Sequence, residues 1–419
     1  MTASIPSLPG PRLGDLLVLA PCLPRPDGDA RSVRWFHMLR FLARHYRVHL
    51  GCRADPLRDG AQFSRVRALC HETCFVPPAG LRQRLRAGRD PVLADWALRL
   101  CMRQPVRALL ACGAHMGGYL AALPRGLVRV IDFVELESDQ RRRYGAVRPW
   151  PGAALWRRQA QRLLAAELAV GAAGDHALFA GAADVARFRL FAPAAAHKAR
   201  HLPSGVDPEY YSPHILQRSP YRPGERALVL AGPADGAMHG PARADAARWL
   251  VREVFAPLRA ADPTLALYLV GGRPGRWPDA RPDARLKALA RQPGVTVSSG
   301  VADLRPYLAH AALVLAPPGA AHAASMAVLA AMSLQQPVLG LPRSLAGLAC
   351  LVLPEAYAAA DAPAFRDRAA ALLAAPGADI AAVGRAARAR VLREHDWDLC
   401  LAGLPALFQA PAQPLASAG

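Results

Sequence analysis

Lysine is nearly missing from this 419-residue chain: of its 52 basic side chains, all but Lys198 and Lys287 are arginine. Any site that needs a cation must therefore take it from arginine, whose planar fork suits phosphate and carboxylate. With alanine, glycine and proline abundant, the bias reads first as GC-rich coding. Long apolar runs are lacking too. The apolar runs, such as residues 16–20 and 323–334, are too short or too weakly apolar for a bilayer span of about 20 residues, so no transmembrane helix is expected. The N-terminus has no basic start, and Pro21 and Pro24 break its first apolar run. It reads as a buried first strand rather than a signal peptide, and the expected location is the cytoplasm. The eight cysteines show no paired spacing, the pattern of reduced thiols. Cys70-His71-Glu72-Thr73-Cys74 holds two cysteines and a histidine as potential ligands, but no second half with metal spacing follows, so no metal site is expected.

What is present is an uneven positive charge. The net charge is +20, of which residues 1–205 hold +16 and the remainder +4. Arg82, Arg84, Arg86 and Arg89 stand close together, and such a cluster can lie against anionic lipid headgroups at about 1 kcal/mol for each side chain. The same charge would suit nucleic acid. No helix-turn-helix, zinc-finger or aromatic RNA-binding signature accompanies it, so nucleic acid is not an expected partner.

The length suggests two domains of roughly 200 residues each. Apolar runs at residues 16–20 and 48–52 flank a helical periodicity through Val33, Phe36, Leu39, Leu42 and Ala43. Strand, helix, strand in so short a span is a βαβ opening and predicts a parallel sheet. Further runs at 74–76, 108–112, 128–134 and 176–180 alternate with helical stretches, the longest at 153–173. After a Pro-rich linker the alternation restarts, with strands at 227–231, 265–270, 295–297, 312–316, 338–341 and 350–353 and a helix at about 243–259. The fold class is α/β with two doubly wound, Rossmann-like domains, and no short-period repeat is visible. Such sheets bind ligands beyond the carboxyl ends of their strands.

Between the two series lies HLPSGVDPEYYSP, residues 201–213. Its Pro203-Ser204-Gly205 turn, followed by Asp207 and an aromatic pair, resembles the interdomain hinge of family 4 glycosyltransferases. The opening segment, with Gly28-Asp29 followed by Arg34, His37, Leu39 and Arg40, resembles the sugar transferases found with exosortase and PEP-CTERM systems, as does VIDFVELESDQRRRY at 130–144. The resemblance implies the GT-B architecture: an acceptor domain over 1–204, a nucleotide-sugar donor domain over 205–395, and a helix and tail at 396–419 that pack back on the first domain. On the acceptor side it points to Gly28, Asp29, Arg34, His37, Asp132, Ser138 and Asp139. Gly28 would allow close backbone approach, Asp29 would accept a sugar hydroxyl and Arg34 would meet a phosphate. Read from the residues alone, Asp29 or Ser32 equally caps a helix, and Asp139 equally starts one.

On the donor side, Gly271 and Gly272 end a buried strand, where a nucleotide can lie against backbone, and Arg273 would supply positive charge. Ser298-Ser299-Gly300, with Asp303 and Arg305, resembles the family's loop near the base, although Asp303 is also an ordinary helix cap. At 320–332, AAHAASMAVLAAM, the resemblance breaks. The family carries Asn-Lys ahead of Val-Leu-Glu-Ala-Met, gripping diphosphate and ribose. Here Val328, Leu329, Ala331 and Met332 keep the packing face, while Met326, Ala327 and Ala330 replace the polar positions. His322 and Ser325 remain as candidate donor contacts.

The resemblance implies a retaining glycosyltransferase that moves a sugar from a nucleotide-sugar to a polyprenyl-linked or free glycan acceptor in exopolysaccharide biosynthesis. It would use no cofactor beyond its donor and would touch an anionic membrane surface at its periphery. No catalytic base can be named. The alternative is a degenerate relative that acts as a binding or scaffold partner; an epimerase of related architecture would need carboxylates that are not in place.

Overall fold

The computed structural model describes residues 13–78, 89–146, 151–232, 240–272, 284–301, 303–316, 322–342, 344–345 and 359–409. The first sheet contains β1 (Asp15–Ala20), β2 (Arg47–Arg53), β3 (Glu72–Val76), β4 (Val106–Cys112), β5 (Val128–Val134), β6 (His176–Phe179) and β7 (Ala199–His201). Their order is β3-β2-β1-β4-β5-β6-β7, and every pairing is parallel. Between them run α1 (Ala30–Leu42), α2 (Pro56–Leu69), α3 (Pro91–Arg103), α4 (Glu137–Ala146), α5 (Gly152–Ala173) and α6 (Ala182–Phe191).

Strand β1 explains the layering. All six of its residues are buried, as expected where helices cover both faces of a parallel sheet. Side chains alternate across a strand, so Leu16, Val18 and Ala20 enter one apolar cluster while Leu17 and Leu19 enter another on the opposite face. The second sheet repeats the device. In β8 (Arg226–Gly232), Ala227, Val229 and Ala231 face one cluster, and Leu228 and Leu230 face the other.

That second sheet has the order β10-β9-β8-β11-β12, with β9 (Leu265–Gly272), β10 (Val295–Val301), β11 (Leu313–Ala316) and β12 (Val338–Gly340). The expected helix near 243–259 is α7 (Gly240–Trp249), a π-helical Leu250–Phe255 and α8 (Ala256–Ala261) in succession. Then come α9 (Ala284–Leu289), α10 (Arg305–Ala309), α11 (His322–Ser333), α12 (Ala362–Ala374), α13 (Gly377–Glu394) and α14 (Trp397–Leu401). The strand expected at 350–353 lies outside the described residues. Short β7, just ahead of the hinge, has no apolar run to announce it: two of its three residues are exposed.

The chain passes between domains twice, and the two passages touch. Val206 and Asp396 form a parallel bridge, with the Val206 amide donating to the His395 carbonyl at 2.8 Å. Gly205 is required here, because a Cβ on it would lie 2.9 Å from the His395 carbonyl oxygen and from the Trp397 backbone. Beyond the passage, Trp397, Leu401, Leu404 and Phe408 join the core of the first domain. Among the described residues no single helix is long and apolar enough to cross a membrane.

Candidate active-site cleft

In each sheet the strand order reverses between the first strand of the domain and the fourth, and the crevice for a ligand opens at the carboxyl ends there. In the first domain this places the loops after β1, β4 and β5 together. The β1–α1 loop is folded by its own polar groups. Asp29 caps α1, accepting from the Ser32 amide at 2.8 Å. Ser32 Oγ donates to the Leu23 carbonyl and accepts from the Arg25 amide at 3.0 Å. Arg25 pairs with Asp27 and Asp59. Gly28 fits because a Cβ there would come within 2.8 Å of Ser32 Oγ.

Arg34 and Asp132 are brought together from α1 and β5, and both side chains are 0% exposed. The guanidinium donates to both carboxylate oxygens, at 2.9 and 3.0 Å, and to the Pro203 carbonyl and Ser204 Oγ at 3.2 and 3.1 Å. Trp35 Nε1 donates to the same carboxylate at 2.9 Å. The pair thus ties the first sheet to the hinge turn. His37 is also buried, stacked on the Trp397 ring at 4.7 Å; burial, with the charge of Arg40, pushes its imidazole down to about 3, so it is neutral.

A second polar cluster was not singled out from the sequence. Arg31, in the first turn of α1, donates to Glu135 at 2.8 Å and to Glu137. Gln140 Nε2 donates to the other oxygen of Glu135. Val134, the last residue of β5, has φ 68°, a strained conformation for a β-branched residue and of the kind that gathers at functional sites. Burial pushes the Glu137 carboxyl up, but Arg31 and then His115 outweigh it and hold it at about 2. The clue in the sequence is the alternation Glu135-Leu136-Glu137 directly after an apolar strand.

Ser138 and Asp139 follow in the first turn of α4. The Ser138 amide donates to Glu167 at 3.3 Å, and its hydroxyl donates to the same carboxylate. Burial raises Glu167 to about 7 against those hydrogen bonds. Asp139 pairs with Arg142, Arg143 and Arg187, which hold it below the usual range against its burial. Asp184, close to Glu135, is raised by burial and that neighbouring charge to about 6.

On the opposite lip, Gly271 and Gly272 fall at the end of β9, and Arg273 lies outside the described residues. Ser299 is in β10 and His322 and Ser325 are in α11, but their side chains, like the loops at 233–239 and 317–321, are outside the described set. Asp303 caps the start of α10 through the Arg305 amide at 2.9 Å and pairs with its guanidinium. Arg305 in turn lies 4.0 Å over the Tyr210 ring, a cation–π contact. Ala330 is 3% exposed and sits with Val328, Leu329, Ala331 and Met332 in the second domain's core. Met326 packs instead against the core of the first domain, so α11 touches the other lip through an apolar side chain. Of Arg82, Arg84, Arg86 and Arg89, only Arg89 is described.

Residues 235–375 match the model of the family described as Glycosyl transferases group 1. No curated protein matches the chain by sequence. Among solved structures, the chain is similar to a sucrose-phosphate synthase from Thermosynechococcus elongatus, with TM-score 0.66, 16% identity, and 94% of this chain and 98% of that one covered. It is similar to HepE of Anabaena in complex with UDP and glucose, with TM-score 0.63, 13% identity, and 94% and 98% covered. A third likeness is to WaaG, a glycosyltransferase involved in lipopolysaccharide biosynthesis, with TM-score 0.63, 15% identity, and 94% and 100% covered. At these identities the likeness is one of fold. The chain has the GT-B architecture, two Rossmann-like domains facing a central cleft, with a Glycosyl transferases group 1 match over most of the second.

Proposed function

We propose that the chain is a nucleotide-sugar-dependent glycosyltransferase acting on a glycan acceptor. The observation that carries the reading is the coincidence of the Glycosyl transferases group 1 match, residues 235–375, with the second of two facing parallel sheets. Anabaena HepE, of the same fold, has been seen with UDP and with UDP-glucose, which favours a uridine donor. The donor's diphosphate would meet the N-terminus of α11. The protein's part in the reaction is electrostatic: it stabilises a departing diphosphate and an oxocarbenium-like sugar. The exosortase-like segments favour a polyprenyl-linked acceptor in exopolysaccharide biosynthesis. The positive charge concentrated in residues 1–205, +16 of the net +20, favours contact with an anionic membrane.

The test is calorimetric titration with UDP, GDP and their common sugar conjugates at low salt. Micromolar binding of UDP or UDP-glucose is expected, and absence of binding to a folded protein would overturn the reading. Ala327→Lys with Ala330→Glu supplies the missing cation and carboxylate. A charged hydrogen bond is worth about 1.5 to 3 kcal/mol, so UDP affinity should rise by about 10-fold or more. Because Ala330 is buried, the new glutamate should also lower the stability of the free protein, and UDP should restore it.

A further inference from the structure

We infer that Arg31, Glu137 and His115 form a subsite that binds the hydroxyls of a neutral sugar ring, with Glu137 as its hydrogen-bond acceptor; this rests on the transferase reading and names what the first lip recognises. The three residues come from the first turn of α1, the start of α4 and the segment after β4, which are the loops gathered at the strand-order reversal. Glu137 is 8% exposed, and while one of its oxygens accepts from Arg31, the other, Oε2, is buried with no hydrogen-bond partner. A buried carboxylate oxygen without a donor is costly, and a ligand O–H would remove that cost.

The charge around it selects the ligand class. Arg31 is already met by two carboxylates, and Arg141, whose charge also reaches Glu137, donates to Gln159 at 3.2 Å. Arg34, the guanidinium expected to meet phosphate, is fully buried on Asp132. Arg31 Nε, like Glu137 Oε2, is buried with no hydrogen-bond partner, so the pair leaves one donor and one acceptor open, which a hydroxyl, able both to give and to take a hydrogen bond, satisfies and a bare anion does not. Held at about 2 by Arg31 and His115 against its burial, Glu137 remains a carboxylate at physiological pH. It is also too weak a base to take a hydroxyl proton, so its role is binding.

Saturation-transfer NMR with glucose and N-acetylglucosamine, on the full chain with and without UDP, tests this. The wild type should give sugar signals that inorganic phosphate does not compete away. Glu137→Gln should weaken sugar binding by about 10- to 100-fold while calorimetric UDP affinity stays unchanged. If near-UV circular dichroism finds Glu137→Gln misfolded, His115→Ala, at an exposed position, must weaken the sugar signals instead. No sugar signal in the wild type, an unchanged signal in the folded variant, or competition by phosphate would overturn the subsite. Loss of UDP binding with a Glu137-dependent sugar signal would sink the donor reading alone.

Discussion

The exchange of an expected phosphate ligand for a buried ion pair at Arg34 is a matter of one residue meeting another 98 positions away. The helix position of Arg34 is legible in the sequence, and so is the polarity of Asp132 at the end of an apolar strand. Their pairing is not, because no local pattern links α1 to β5. Removing one partner of a buried pair leaves an uncompensated charge, at a cost of about 3 to 5 kcal/mol, whereas replacing both with apolar residues can be nearly neutral. Asp132→Asn is therefore expected to lower unfolding stability by that amount in urea, and Arg34→Met with Asp132→Leu to recover most of it. Equal stability of Asp132→Asn and wild type would show that the pair does not anchor the hinge turn. Of the other residues singled out in the first domain, Asp29 and Asp139 take the local roles that their sequence positions left open: a helix cap and the first turn of a helix.

At the scale of elements, hydrophobic periodicity found the strands and α1 to within a few residues, since strands buried on both faces read as continuous apolar runs. It missed β7, two-thirds exposed, and gave no sign of the π-helical turn at Leu250–Phe255, where the apolar face is unbroken. Nor could it show that α5 holds the start of α4 through Glu167 and Ser138. That contact has a pH signature. The Glu167 pKa is raised by burial from 4.5 to about 7, so the folded protein keeps the proton where the unfolded chain has lost it. Its stabilising contribution is full below pH 4.5 and is lost as pH rises to about 7, with a span on the order of 3 kcal/mol. Asp184 acts with the same sign between 3.8 and about 6. Glu137, held at about 2, acts in the opposite sense, losing its contribution as pH falls from 4.5. Glu167→Gln keeps the shape without the titration. Urea unfolding at about pH 5 and about pH 8 should show the variant gaining on wild type at the higher pH; a constant difference would mean that Glu167 does not titrate in this range.

For the molecule as a whole, the end of the chain belongs physically to its beginning. Trp397, Leu401, Leu404 and Phe408 are buried in the first domain's core. Trp397 stacks on His37, the Tyr46 hydroxyl donates to the Pro405 carbonyl at 3.2 Å, and Arg44 pairs with Asp398. Met326 adds an apolar contact from α11 across the cleft. The contact at Met326 was not legible in the sequence, because a methionine in an apolar helix gives no sign of which domain it faces. Each large buried apolar side chain contributes about 1.5 to 3 kcal/mol, so the four together rival the 5 to 15 kcal/mol that typically holds a domain folded. A chain ending at His395 should consequently lose the first domain while the second, whose described core residues include none from α14, stays folded. Limited proteolysis followed by mass spectrometry should then recover a protected fragment from the region of β8 to α13 and little of residues 13–201. Phe408→Ala, which leaves Trp397 in place, is the milder form, with an expected loss of about 3 to 5 kcal/mol confined to the first domain's unfolding. Equal protease resistance of both domains in the truncated chain would mean that the first core is complete without the returning segment.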